Sequence, residues 1–199
     1  MKKEKYYITT PIYYVNALPH IGHAYTTIAA DTIARYQRDI LKKDVFFLTG
    51  TDENSQKNVE AAEKAGEETK VFVDGMSKKW EAIWQDLHIT NDGFIRTTAD
   101  YHKLGVDKFF KIVWDKGDIY KGVYEGLYCV GCETFYAEAD AVNGECPIHK
   151  RKLEVLKEDN YFFKLTKYKD KLLKYIKDNP EFITPETRRN EIVSYIDKF

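Results

Sequence analysis

The sequence predicts an α/β protein whose first 116 residues fold around a parallel sheet. Runs rich in β-branched and aromatic residues alternate there with stretches whose apolar residues recur at helical spacing. A helix-length stretch separates each strand from the next, as crossovers between parallel neighbours require. Hydrophobic residues make up 43% and charged residues 32% of the 199, a balance that supports a packed core.

Residues 5–10 (KYYITT) read as a buried strand stopped by Pro11. Ile28, Ala29, Thr32, Ile33, Tyr36, Ile40 and Leu41 then mark the apolar face of a helix over 24–43. Residues 44–49 (DVFFLT) form a second apolar strand, ended by Gly50-Thr51-Asp52-Glu53. Helices follow over 55–65, closed by Gly66, and over 69–87. A short strand at 93–97 and a helix over 99–116 complete the alternation. Trp80, Trp84 and Trp114 fall at core positions of these helices, and His88 and His102 at helix ends or surfaces. Ligands of such sheets sit beyond the carboxyl ends of the strands, where the segments 11–23 and 51–55 emerge.

The texture changes at Gly117. Gly117, Gly122, Gly126, Gly131 and Gly144 punctuate short, turn-rich pieces. A strand from Asn160, a helix over 168–177 and a last helix from Pro185 follow. The chain divides accordingly into 1–116 and 117–199. No residue that stops a helix precedes Phe199, so the chain is expected to end within an element.

All three cysteines fall in one pattern. Cys129-Val-Gly-Cys132 and Cys146-Pro-Ile-His149 are separated by thirteen residues. Two tight turns, each delivering a pair of ligands, suit tetrahedral zinc, and Gly131 and Pro147 are turn-forming types. Four protein ligands leave no open position, so one structural Zn²⁺ per chain is expected. A redox C-x2-C is the alternative, and it would not need the second pair.

The other unusual stretch is PIYYVNALPHIGHAYTT, from Pro11 to Thr27. His20 and His23 flank Gly22 at a helix start, where Ser or Asp would be the usual cap. A helix start offers unpaired N–H groups and a partial positive charge to an anion. Imidazoles three residues apart share one face of its first turn, and Gly22 clears room for a close backbone approach. The segment is thus predicted to handle nucleotide phosphates, with neither common phosphate-binding glycine motif present.

Net charge is -1, with 12 Lys+Arg against 9 Asp+Glu from Arg151 onward, so no global field attracts nucleic acid. No apolar run approaches the roughly 18 residues of a membrane span. Membrane and DNA are therefore not expected as partners, and unpaired cysteines suit a cytoplasmic location.

His-Ile-Gly-His after a first strand resembles the signature of class I aminoacyl-tRNA synthetases. TTPIYYVNALPHIGHAYTT, the later FFLTGTDE and the C-x2-C/C-x2-H pattern together are similar to the methionyl, bacterial-type members, along essentially the whole chain. The resemblance implies a Rossmann-type catalytic domain, whose first half is 1–116. A connective insertion over 117–199 would hold the zinc knuckle at 129–149. It further implies that His20 and His23 contact ATP at the α-phosphate with Gly22 beside them, that Ile12 and Tyr14 line a methionine side-chain pocket, and that Asp52 holds the α-ammonium group. The blander reading of Asp52, in a strand-end turn, is an Asx turn or a helix cap. The implied reaction forms methionyl-adenylate from L-methionine and ATP with Mg²⁺, then charges tRNA(Met).

Two departures stand out. Asn54-Ser55 replaces the His-Gly that the family usually shows after Thr-Asp-Glu. A Lys-Met-Ser-Lys-Ser loop is absent, and Gly75-Met76-Ser77-Lys78-Lys79 falls inside a helical pattern and reads as helix surface. The chain is therefore expected to be an N-terminal portion that charges no tRNA by itself. Other readings are a non-catalytic split synthetase module that binds RNA or a partner, and another H-x-G-H nucleotidyltransferase. Asp31, Arg35 and Arg38 suit either local pairing or an RNA contact.

Overall fold

A computed structural model describes residues 3–132, 134–136, 141 and 143–198. Four parallel strands form the first sheet: β1 (Lys5–Thr9), β2 (Tyr13–Tyr14), β3 (Asp44–Asp52) and β4 (Gly93–Arg96). The longest, β3, lies in the middle, with β1 and then β2 along one side and β4 along the other. Three helices make the crossovers, α1 (Ile21–Arg35), α2 (Gln56–Ala65) and α3 (Thr69–Asp86), and α4 (Asp100–Asp115) leads out of the sheet after β4. The predicted alternation and the parallel sheet are both present. Among the described residues no helix is long and apolar enough to cross a membrane.

Several local expectations need correction. The strand β3 does not end at Gly50 but runs through it to Asp52. A Cβ on Gly50 would lie 2.0 Å from the Ile95 carbonyl oxygen of β4, so this glycine permits close strand approach rather than breaking the strand. β1 is not buried: it forms an edge among the described residues, and Tyr7 is 63% exposed. The first helix begins at Ile21, ends at Arg35 and continues as a π-helix, Tyr36–Ile40.

The face of α1 also differs from expectation. Ile28, Ile33 and Tyr36 are exposed, whereas Thr27, Ala30, Asp31 and Ala34 are buried. Small side chains let the helix approach the sheet, and Ala30 and Ala34 pack on Phe47 of β3. The larger core gathers Tyr13, Val15, Val73, Met76, Trp80 and Trp84. Trp80 and Trp84 are core residues as expected, but Trp114 is 44% exposed. Residues 75–79 are helical, yet Met76 and Ser77 face inward and only Lys78 and Lys79 lie on the surface among the last four of them.

Beyond the helix α4 the turn-rich reading holds at Gly117, with φ +69, at Gly131 and at Gly144, with φ +74, but fails at Gly122 and Gly126. An 11-residue strand, β5 (Ile119–Cys129), pairs antiparallel with β6 (Thr134–Tyr136) and with the 10-residue β7 (Glu154–Phe163). Gly122 and Gly126 sit under neighbouring rings: a Cβ there would come within 3.1 Å of Phe162 and Phe135 respectively. They make space for aromatic rings over the strand instead of marking turns. Helices α5 (Lys169–Asp178) and α6 (Glu186–Asp197) follow, with Pro185 at the cap position directly before the first turn of α6, near where it was expected. The predicted end of the last helix at Phe199 lies outside the described residues.

Candidate functional site

The start of α1 explains why two histidines stand where a Ser or Asp is usual. The Gly22 backbone N–H donates to His20 Nδ1 at 3.0 Å, and the His20 backbone N–H donates to His23 Nδ1 at 3.2 Å. The pair is thus a reciprocal capping box made of imidazoles. Each Nδ1 accepts, so in the neutral ring the hydrogen sits on Nε2. Neither Nε2 has a partner among the described residues. A Cβ on Gly22 would lie 2.9 Å from the His20 ring, so this glycine makes room first for the folded-back imidazole.

Aromatic packing fixes the rings. His20 and His23 stack with centroids 3.7 Å apart, and His23 leans on Tyr13 at 4.8 Å and Trp80 at 5.0 Å. Tyr13 stacks on Trp80 at 5.3 Å, and the Trp80 indole N–H donates to Ala17 O at 2.9 Å. Burial on this platform, with the nearby His20, pushes the His23 pKa below the ordinary histidine value. A lowered folded pKa means that stability gained from neutral His23 is full above its unfolded pKa. It is lost as pH falls through the lower folded value.

His20, His23, Ile12 and Tyr14 line one hollow of about 400 Å³, together with Lys57 and Trp80 among others. Asp52 is not part of that lining. It pairs with Tyr14 in the β2–β3 register but faces an adjacent hollow of about 460 Å³ with Asn54, Thr97 and His102. His102 sits at a helix end as expected, in the first turn of α4, and from there lines this hollow. The Asp52 carboxylate accepts from the Asn54 backbone N–H at 3.3 Å, so the Asx turn is present as well. Ser55 caps α2 through the Asn58 N–H at 3.3 Å, which gives the Asn54-Ser55 departure a structural use.

Sequence reasoning overlooked Glu53 and Lys57. Glu53 is 4% exposed and takes a bidentate pair from Arg96, at 2.6 and 2.9 Å, plus the Thr51 hydroxyl at 2.8 Å and the Thr98 hydroxyl. Burial raises its pKa, but the Arg96, Thr98 and Thr51 hydrogen bonds and the Arg96 charge outweigh burial and hold it below the usual range. Arg96 also pairs with Asp74 of α3, so this network ties the end of β3 to β4 and α3. Apart from Thr51, its bonds join residues 22 to 45 positions apart, beyond the reach of any local pattern. Arg35 pairs locally with Asp31 at 2.6 Å, whereas Arg38 reaches Asp92, 54 positions away, at 2.7 Å.

The second constellation lies at the end of β5. One ligand atom from each of Cys129, Cys132, Cys146 and His149 lies within 4.8 Å of the others. Sulfur–sulfur separation is 3.5 Å between Cys132 and Cys146, and His149 Nδ1 is 3.8, 3.1 and 3.8 Å from Cys129, Cys132 and Cys146. Tetrahedral zinc has edges of about 3.8 Å between sulfurs and about 3.6 Å from sulfur to nitrogen, so the four atoms fit. The Tyr136 hydroxyl lies 3.2 Å from Cys132 Sγ and 3.6 Å from Cys146 Sγ, as an outer donor to thiolates would. Gly131 has no positive φ, and a Cβ on it would press within 2.9 Å of the His149 ring. Gly131 lies in a turn as expected, and its missing Cβ also makes room for that ring.

A family model described as "tRNA synthetases class I (M)" matches residues 6–154. The chain is 51% identical over 197 residues to a methionine–tRNA ligase of Thermotoga maritima, covering 97% of this chain and 31% of that protein. A Clostridium tetani methionine–tRNA ligase is 50% identical over 194 residues, covering 98% and 30%. Mycobacterium tuberculosis methionyl-tRNA synthetase in complex with methionyl-adenylate superposes with a TM-score of 0.90 at 41% identity, covering 98% of this chain and 39% of that one. The chain spans about a third of the length of the curated relatives it matches.

Proposed function

The chain belongs to the tRNA synthetases class I (M) family, and from that premise we propose that it is the portion of a methionine–tRNA ligase that binds ATP and L-methionine. The observation that carries the reading is the reciprocal cap at His20 and His23. It locks two neutral rings with their Nε2–H groups unpartnered at a helix start. Such a site donates hydrogen bonds to an α-phosphate without adding fixed charge, and the donation strengthens as negative charge grows there. Gly22 lets the backbone of the first turn come close.

Ile12 and Tyr14, on the same hollow, would wall the thioether side chain of methionine. Asp52, one strand across from Tyr14, would hold the α-ammonium group. No nucleophilic side chain is needed; orientation and electrostatics carry the step. Mg²⁺ would arrive with ATP as part of the substrate. Structural Zn²⁺ at Cys129, Cys132, Cys146 and His149 would hold the lobe over 117–199, an insertion following the catalytic half over 1–116. The full-length protein would charge tRNA(Met) in the cytoplasm, and the chain alone would not. Exposed Tyr7, Ile28, Ile33 and Phe46 beside β1 and α1 are surfaces that the rest of such a protein would cover.

Methionine-dependent exchange of labelled pyrophosphate into ATP by the full-length protein tests this reading. Exchange that needs methionine supports it. Exchange driven by another amino acid, or none, would remove it.

A further inference from the structure

We propose that Lys57 supplies the positive charge under which the methionine carboxylate and the α-phosphate are brought together. The proposal rests on the reading above and assigns a role within the same hollow. In the activation step a carboxylate oxygen bonds to the α-phosphorus, and the bond from that phosphorus to the bridging oxygen breaks. The electron pair leaves with pyrophosphate, and no proton moves. Two anions must therefore meet before any bond forms. The imidazoles of His20 and His23 are neutral in the cap, so they orient the phosphate without offsetting that repulsion. Among the described residues lining the hollow, Lys57 is the one with a charged side chain.

The placement of Lys57 is unfavourable without a ligand. It is the second residue of α2, where the helix dipole is positive, and α2 has no acidic residue in its first turn. Among the described residues it makes no ion pair, and its ammonium rests over the Tyr14 ring at 5.4 Å. A ring face holds an ammonium only weakly where water is near. An anion entering the hollow offers a stronger, charge-assisted partner a short side-chain swing away. Lys57 thus touches the proposed methionine wall at Tyr14 and shares a hollow with the proposed phosphate donors.

The test uses Lys57→Met and Lys57→Arg in the full-length protein. Pyrophosphate exchange is measured alongside methionine binding without ATP. Lys57→Met should lower kcat/KM for ATP in exchange by about 100-fold, the scale of losing one strong donor. Lys57→Arg should keep most of the activity, and in Lys57→Met methionine binding alone should weaken far less than exchange does. Exchange by Lys57→Met within about twofold of the parent overturns the proposal. So does a loss of methionine binding as large as the loss of exchange, which would make Lys57 a support for Tyr14. Absence of exchange in the parent would defeat the underlying reading, an outcome distinct from activity in parent and Lys57→Met alike.

Discussion

Protein purified without chelator is expected to carry one zinc ion per chain, and Cys132→Ser to lose it. The physical reason is the small core of this lobe. Cys129, Cys146 and Leu153 are its buried centre, with Leu127, Cys132, Tyr136 and Ala141 packed around. So few apolar side chains do not offset the entropy of ordering the loops that carry them. Structural zinc contributes about 10–16 kcal/mol to folding in small metal-dependent domains, enough to decide whether such a lobe folds. Backbone hydrogen bonds confirm how tightly the second ligand pair is turned: Cys146 N–H donates to Arg151 O at 2.9 Å and Lys150 N–H to Cys146 O at 2.8 Å. Removing zinc should therefore expose 129–153 to protease while the β1–β4 sheet resists. Metal analysis of the parent protein that finds no zinc would contradict the assignment.

The second large effect is expected at the helix start. Replacing both His20 and His23 by Ala in the full-length protein should reduce methionine-dependent pyrophosphate exchange by about 10⁴-fold, from about 100-fold or more per donor. The single variants should each cost more than half of that loss on a logarithmic scale, because the rings stack at 3.7 Å and each helps to place the other. His20→Asn separates two roles. Asn is a strong N-cap, so the helix start and thermal stability should be retained while exchange is lost. Exchange that survives in His20→Asn would assign the ring to capping alone.

Much of this was legible from local pattern. The strands at β1, β3 and β4 and the helices between them follow from periodicity, and parallel order follows from their alternation. The Cys/His cluster was legible because its spacing is itself the signal. What local pattern hides is contact with distant residues. The apolar residues of α1 suggested its inner face, yet Ala30 and Ala34 win because small side chains admit the sheet. Gly50, Gly122 and Gly126 read as breaks, since a glycine kept clear for Ile95, Phe162 or Phe135 looks the same in sequence as one in a turn. In the site, the histidines stood out, but the aromatic platform beneath them did not: Trp80 is 57 positions from His23, and its core role was visible while its contact was not. Lys57 carried no motif of its own, and Glu53, though it closes the stretch FFLTGTDE, was given no role.

The account turns on two imidazoles being held neutral, with Nδ1 accepting and Nε2 bearing the hydrogen. Nitrogen-15 NMR of the full-length protein, with His20 and His23 assigned by substitution, reads this directly. At neutral pH both rings should show an unprotonated Nδ1 and a protonated Nε2, and His23 should begin to titrate only below the ordinary histidine pKa. A protonated Nδ1 on either ring at neutral pH would mean that the cap does not form as described, and the donors proposed for the phosphate would be gone with it.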